Sequence, residues 1–129
     1  MNRYFYEVIA AHELIGRWLS DVNCPIEVCD NLLARFSPAY SMMTPGGEFL
    51  DNTLLTSFFR TQCGAKPGLK IEIDNLQLVA EHATGATVTY QERQQMPDQE
   101  ATWRFSTVVF ELEAENQVIW RHLHETALP

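Results

Sequence analysis

The sequence predicts an α+β domain, with three N-terminal helices packed on a curved antiparallel sheet of long strands. Three observations carry that reading. Apolar residues recur at helical spacing through Phe59. From Leu69 onward the apolar period becomes extended. Short turn sequences then separate successive extended runs, which makes them hairpins. Helices first and hairpin-linked strands afterwards put the helices together on one face of the sheet.

The first helix is carried by Tyr4/Phe5, Val8, Ala11/His12, Ile15 and Trp18/Leu19, a wide apolar stripe closed by Ser20-Asp21-Val22-Asn23. Pro25 suits the first turn of a second helix capped by Asn23 or Cys24, with Ile26, Cys29, Leu32/Leu33 and Phe36 as its buried stripe. Ser37-Pro38 breaks that helix, and Ala39 to Met43 reads as a short strand. Thr44-Pro45-Gly46-Gly47 is a turn. Asp51 caps a third helix with Leu54/Leu55 and Phe58/Phe59 as its apolar positions, and Gly64 is its expected stop. Strands follow over Leu69–Glu81, Ala86–Gln95, Ala101–Glu113 and Gln117–Ala127. Their turns fall at His82-Ala83-Thr84-Gly85, Met96-Pro97-Asp98-Gln99 and Glu115-Asn116. With no repeat or linker in between, residues 1–129 form one domain.

Nine basic residues against seventeen acidic ones give a net charge of −8. That field repels phosphate backbones, and no Lys/Arg cluster offsets it, so no nucleic-acid partner is expected. Cys24, Cys29 and Cys63 lack C-x-x-C spacing and fit buried thiols in a reducing, cytoplasmic setting. Glu7, His12 and Glu13 interrupt any apolar run at the N-terminus. Neither a signal peptide nor a membrane partner is therefore expected.

Alternation along a strand puts Trp120, His122 and His124 on one face. The Met96 to Glu100 turn sets Glu92 opposite Arg104, Tyr90 opposite Ser106 and Val88 opposite Val108. A three-residue turn after Glu113 then brings Phe110, Trp120, His122 and His124 to that same face. Both assignments depend on turn length, because a slip of one residue reverses the faces. An apolar cleft with a few converging polar groups is what a small-molecule site requires. His122 and Glu92 are accordingly the candidate acid/base pair, His122 because histidine titrates near neutral pH. Tyr40, Met42, Tyr90, Arg104, Trp120 and His124 are the candidate ligand contacts. Glu92 with Arg104 reads more readily as a structural cross-strand ion pair than as an anion clamp, and His12 reads as a satisfied core histidine. His122 and His124 with Glu92 are too loose a set to imply a metal, and no cofactor is expected. The opposite face carries Trp103, Phe105, Thr107, Val109, Ile119 and Leu123, apolar enough to be covered in a homodimer.

Leu32-Leu33-Ala34-Arg35-Phe36, Tyr40-Ser41-Met42-Met43-Thr44-Pro45-Gly46-Gly47, Val88-Thr89-Tyr90-Gln91-Glu92 and Trp120-Arg121-His122-Leu123-His124-Glu125-Thr126 occur within this order of elements. Together they resemble small bacterial members, of unknown function, of the nuclear transport factor 2-like superfamily. The resemblance covers nearly the whole chain. It implies a cone-shaped, cystatin-like roll with a cavity between sheet and helices, and commonly a homodimer formed through the sheet's outer face. Relatives include ketosteroid isomerases, polyketide cyclases and noncatalytic scaffolds, so function does not follow from fold. The isomerase's general-base Asp and Tyr/Asp oxyanion pair cannot be placed on this sequence. The expectation is a small-molecule-binding domain with general acid/base groups in its cone. The alternative is a dimeric interaction or scaffold module.

Overall fold

A computed structural model describes all residues from Met1 to Pro129. Helix α1 (Arg3–Ser20) starts at Asn2, whose Oδ1 accepts a hydrogen bond from the Phe5 N–H at 2.8 Å. That cap satisfies one of the donors a helix start leaves free. Tyr4, Val8, Ala11, His12, Trp18 and Leu19 form its buried face. In α2 (Ile26–Leu33), Pro25 stands at the cap position rather than in the first turn. The buried stripe is Val28, Cys29 and Leu32, while Ile26 is exposed. Phe36 has already left this helix and opens strand β1 (Phe36–Met43).

A three-residue strand, β2 (Phe49–Asp51), pairs antiparallel with β1 and leads into α3 (Asn52–Arg60). Asp51 caps α3 through Oδ1, which accepts from the Leu54 N–H at 2.9 Å. Leu55 and Phe59 point inward, whereas Leu54 and Phe58 remain exposed. The helix ends at Arg60, ahead of Gly64. Gly64 has φ +64° in the following loop, and a Cβ there would lie 2.4 Å from the Val22 Cα. Close approach, rather than helix termination, is what requires glycine at this position. The Trp18 indole donates to the Phe59 carbonyl at 2.6 Å and ties α1 to α3.

The long strands are β3 (Lys70–His82), β4 (Gly85–Gln95), β5 (Thr102–Leu112) and β6 (Val118–Ala127). They form a curled, unclosed sheet in the order β2-β1-β6-β5-β4-β3. Every neighbouring pair is antiparallel except β1 and β6, which run parallel. The long strands β3 to β6 form the expected antiparallel meander, and the parallel β1–β6 pair makes the complete sheet mixed. Hairpins fix direction only among β3 to β6, and β1 reaches β6 through no hairpin. Tyr4 stacks on Phe110 with centroids 5.7 Å apart, and Trp120 meets Phe110 edge-on at 4.9 Å. The apolar core thus lies between α1 and the concave face of the sheet.

Register decides what faces this interior. Glu92 pairs with Arg104, Tyr90 with Ser106 and Val88 with Val108, as the turn predicts. The next connection is a single 3-10 turn at Ala114–Asn116, with Glu113 N–H bonded to Gln117 O at 2.8 Å and Phe110 opposite Trp120. The register then shifts: His122 lies opposite Val109, Leu123 opposite Val108 and Glu125 opposite Ser106. Arg121 is the extra residue of a β-bulge, which reverses the faces of everything after it. Without the bulge, His122 and His124 would be buried and Leu123 exposed. With it, Leu123 joins the core, a gain of about 1.5–3 kcal/mol for a fully buried leucine. Arg121 itself is held outside by a hydrogen bond to the Ala39 carbonyl and an ion pair with Glu111.

Candidate functional site

A cavity of about 260 Å³ opens between α1, α3 and the concave sheet face. Its walls are mainly apolar and include Ile15, Phe36, Met42, Leu55, Trp120 and Leu123. Four ionisable side chains converge at its polar end: His12 from α1, Glu92 from β4, Arg104 from β5 and Glu125 from β6.

His12 is held by its own helix. Its Nδ1 lies 2.7 Å from the Val8 carbonyl oxygen, which can only accept, so Nδ1 carries a proton. That leaves Nε2 facing the Glu92 Oε1 at 3.2 Å. A neutral imidazole would then point a bare lone pair at a carboxylate. Holding a second proton between these two groups removes that repulsion and makes them an imidazolium–carboxylate pair. Burial works to lower the proton affinity of His12, but the Glu92 carboxylate outweighs it and carries the imidazole above its ordinary 6.5. Burial likewise works to raise Glu92. The His12 charge and hydrogen bond prevail, aided by Gln94 and Arg104, and hold the carboxyl down at about 2. Gln94 donates to Glu92 Oε2 at 2.7 Å.

Glu125 is the second buried carboxylate. Its Oε1 receives one hydrogen bond from Arg104 Nη1 at 3.3 Å, and its Oε2 one from Ser106 Oγ at 3.2 Å. Burial pushes this carboxyl above 4.5, reinforced by the Glu92 charge and opposed by Arg104. Glu92 and Glu125 thus sit in one cavity with proton affinities driven apart, the arrangement that separates an acid from a base. The Tyr40 hydroxyl is buried with no hydrogen-bonding partner, and burial with the Glu125 charge raises its proton affinity strongly. The Tyr90 hydroxyl has no partner of good geometry either, and its ring packs edge-on to His12 at 5.4 Å. Burial first, then Glu92 and Glu125, drive it well above 10.

Trp120 is fixed from behind. Its indole N–H donates to Glu7 Oε2 at 3.0 Å, and Glu7 Oε1 accepts from Arg35 at 2.7 Å. The ring therefore stands as a rigid wall facing His12, at 6.0 Å between centroids.

Of the residues singled out from sequence, Tyr40, Met42, Glu92, Arg104 and Trp120 line the cavity. Tyr90 lies fully buried against His12 rather than on the cavity surface. His122 and His124 belong to the opposite face, carried there by the Arg121 bulge. His122 is half-buried with its Nδ1 2.8 Å from Ser41 Oγ, and His124 is exposed. The expected Glu92–Arg104 ion pair does not form, since Glu92 pairs with His12 and Arg104 with Glu125. Leu123, expected on the outer face, is in the core. Strand alternation from Trp120 does not bring Glu125 to the cavity face, because the bulge is silent in sequence. Requiring Leu123 to be buried would have recovered it. His12 was legible as a buried histidine, and only the fold supplies Glu92 as its partner. No three His, Cys, Asp or Glu side chains gather as a metal site would require.

A helix-covered, curled sheet enclosing one cavity defines the nuclear transport factor 2-like class. The model of the SnoaL-like domain matches residues 26–127, and the chain belongs to that family. Among solved structures, it is similar to an NTF-2-like protein of unknown function from Pseudomonas aeruginosa. The two share 40% identity over 98% of each chain with a TM-score of 0.92. A putative ketosteroid isomerase from Parabacteroides distasonis shares the fold at 11% identity, with 94% and 85% of the chains covered and a TM-score of 0.68. The association domain of C. elegans CaMKII does so at 13% identity, with 96% and 95% covered and a TM-score of 0.71. No curated protein matches the chain. No helix is long and apolar enough to cross a membrane.

Proposed function

We propose that this chain binds a compact small molecule in its cone and can exchange a proton with it. The observation that carries this reading is the convergence of His12, Glu92, Arg104 and Glu125 on one largely apolar cavity. A buried charge is costly unless it is paired. A domain selected for stability alone would fill such a space with hydrocarbon. The volume is slightly below the ~300–1,000 Å³ of drug-sized sites, which favours a single-ring compound over a polycyclic one. In this reading Glu125, its proton affinity raised, is the group that gives or takes a proton. His12 and Glu92 form a fixed charge pair beside it. The unpartnered Tyr40 hydroxyl is a donor ready for a ligand oxygen. Glu92 thus moves from the acid/base role expected from sequence to a fixed charge beside His12, and Glu125 takes the place of His122.

The test is a titration of isotope-labelled protein with a panel of single-ring carbonyl compounds, followed by NMR. Binding should move the signals of Tyr40, Leu123 and Trp120. Any compound that binds should also exchange its acidic C–H with solvent deuterium at a rate that Glu125→Gln reduces by about 10²-fold or more. Shifts confined to the outer face would refute the cavity reading. Exchange unaffected by Glu125→Gln would refute Glu125 as the proton-transfer group, and no exchange above background would leave binding without acid/base chemistry.

The outer face supports a second, compatible element of the proposal: self-association. Trp103, Phe105 and Val109 alternate along β5 on the side away from the cavity, and Val109 is exposed. With three free thiols, the assembly suits a reducing compartment such as the cytoplasm.

A further inference from the structure

We propose that the cavity selects a monoanion, a single-ring compound bearing one carboxylate. This rests on the ligand-binding reading above and specifies the ligand class. The lining carries three basic side chains, His12, Lys66 and Arg104, against two acidic ones, Glu92 and Glu125. Elsewhere acidic residues are in clear excess, since the whole chain holds nine basic and seventeen acidic residues. Counting lysine and arginine alone, the lining balances two cations against two carboxylates, in a chain whose carboxylates outnumber its lysines and arginines by eight. The His12 imidazolium, with both ring nitrogens facing acceptors, tips the cavity positive.

Within it, the three cations are unequally used. His12 is committed to Glu92 at 3.2 Å. Arg104 makes a single hydrogen bond, to Glu125, and at 3.3 Å it is longer than the ~2.7–2.9 Å of a good charge-assisted contact. A guanidinium has five N–H donors, so most of Arg104's remain available toward the cavity. Lys66 lies exposed in the cavity lining and takes part in no ion pair. A carboxylate entering past Lys66 can reach the free edge of Arg104 while its ring rests against Phe36 and Trp120. The Tyr40 hydroxyl, buried and unpartnered, supplies a neutral donor to the same end. A dianion such as a phosphate monoester is disfavoured, because Glu92 and Glu125 share the space. A cation would meet Arg104 and Lys66 directly.

The experiment compares four ligands of similar shape by calorimetric titration of the intact protein at neutral pH: 3-phenylpropionate, 3-phenylpropionamide, 3-phenylpropylamine and 2-phenylethyl phosphate. The carboxylate should bind about tenfold more tightly than the amide, and its advantage should shrink with added salt. Lys66→Gln, at an exposed position, should reduce that preference to about threefold. Equal affinity for carboxylate and amide overturns the anion class while leaving the cavity as a ligand site. Tightest binding of the amine or of the phosphate overturns it likewise. If none of the four binds, this inference and the ligand-binding reading fall together.

Discussion

Replacing Glu92 with Gln should destabilise the protein by an amount that depends on pH in a defined way. In the native state Glu92 is held at about 2 against 4.5 unfolded, a difference worth about 3 kcal/mol. Its folded value is depressed, so this stabilisation is present above 4.5 and lost as pH falls through about 2. His12 is shifted the opposite way, above 6.5, so its share is complete below 6.5 and lost as pH rises through its folded value. The two shifts describe one interaction and are not additive. The pair is therefore worth most between 4.5 and 6.5. In that window Glu92→Gln leaves His12 either as a charge buried beside an amide or as a ring that must give up its second proton to stay buried. The expected loss is about 3 kcal/mol, or roughly 10 °C in Tm for a domain of this size. On the alkaline side the wild-type pair has itself dissolved, and the gap should narrow. Urea unfolding across the pH range measures the gap, and NMR titration of the His12 ring should show its pKa falling below 6.5 in the variant. A penalty independent of pH, together with an unchanged His12 titration, would refute the reasoning.

Three further outcomes follow from the same geometry. Arg104→Met removes the cation that restrains Glu125, so the Glu125 carboxyl should titrate higher still in carbon-detected NMR. The variant should also be less stable at neutral than at acidic pH, since a carboxyl with a raised value stabilises below 4.5 and loses that as pH rises through its folded value. Gly64→Ala forces a side chain against the Val22 backbone at positive φ, and chemical denaturation should show a loss of at least about 1–3 kcal/mol. Phe105→Glu places a charge in the outer aromatic row. Under the self-association proposal, sedimentation should show a dimer for the wild type and a monomer for this variant, and a wild-type monomer at micromolar concentration would remove that proposal.

Much of the architecture was legible because it rests on local chemistry. The change from helical to extended period at Leu69, the Asp51 cap and the Met96 turn each act within a few residues. Register between β4 and β5 followed from turn length alone. What could not be read depends on contacts remote in sequence. The three residues of β2 are too short to carry a pattern, and they exist because β1 offers an edge. The parallel β1–β6 pairing joins the two ends of the fold. In it, Phe36 lies opposite Trp120 and Ser41 opposite His122, so β1 advances further than β6 around Pro38. The bulge at Arg121 is the matching irregularity in β6, and nothing near Arg121 in the sequence announces it. One displaced residue was enough to exchange His122 and His124 for Leu123 and Glu125 at the candidate site.

The way His12 is enclosed has a kinetic consequence. One ring nitrogen is occupied by the Val8 carbonyl and the other by Glu92, and the ring is buried on every side but the cavity. The cavity is the opening that connects the ring to bulk water, and it is also the route a ligand would take. A molecule that fills the cone would therefore also cork it. The ionisation state present at the moment of entry would then persist through the residence of the ligand, whatever the pH outside did meanwhile. Rapid pH-jump experiments on the empty and the filled protein would then report two different clocks for the same histidine.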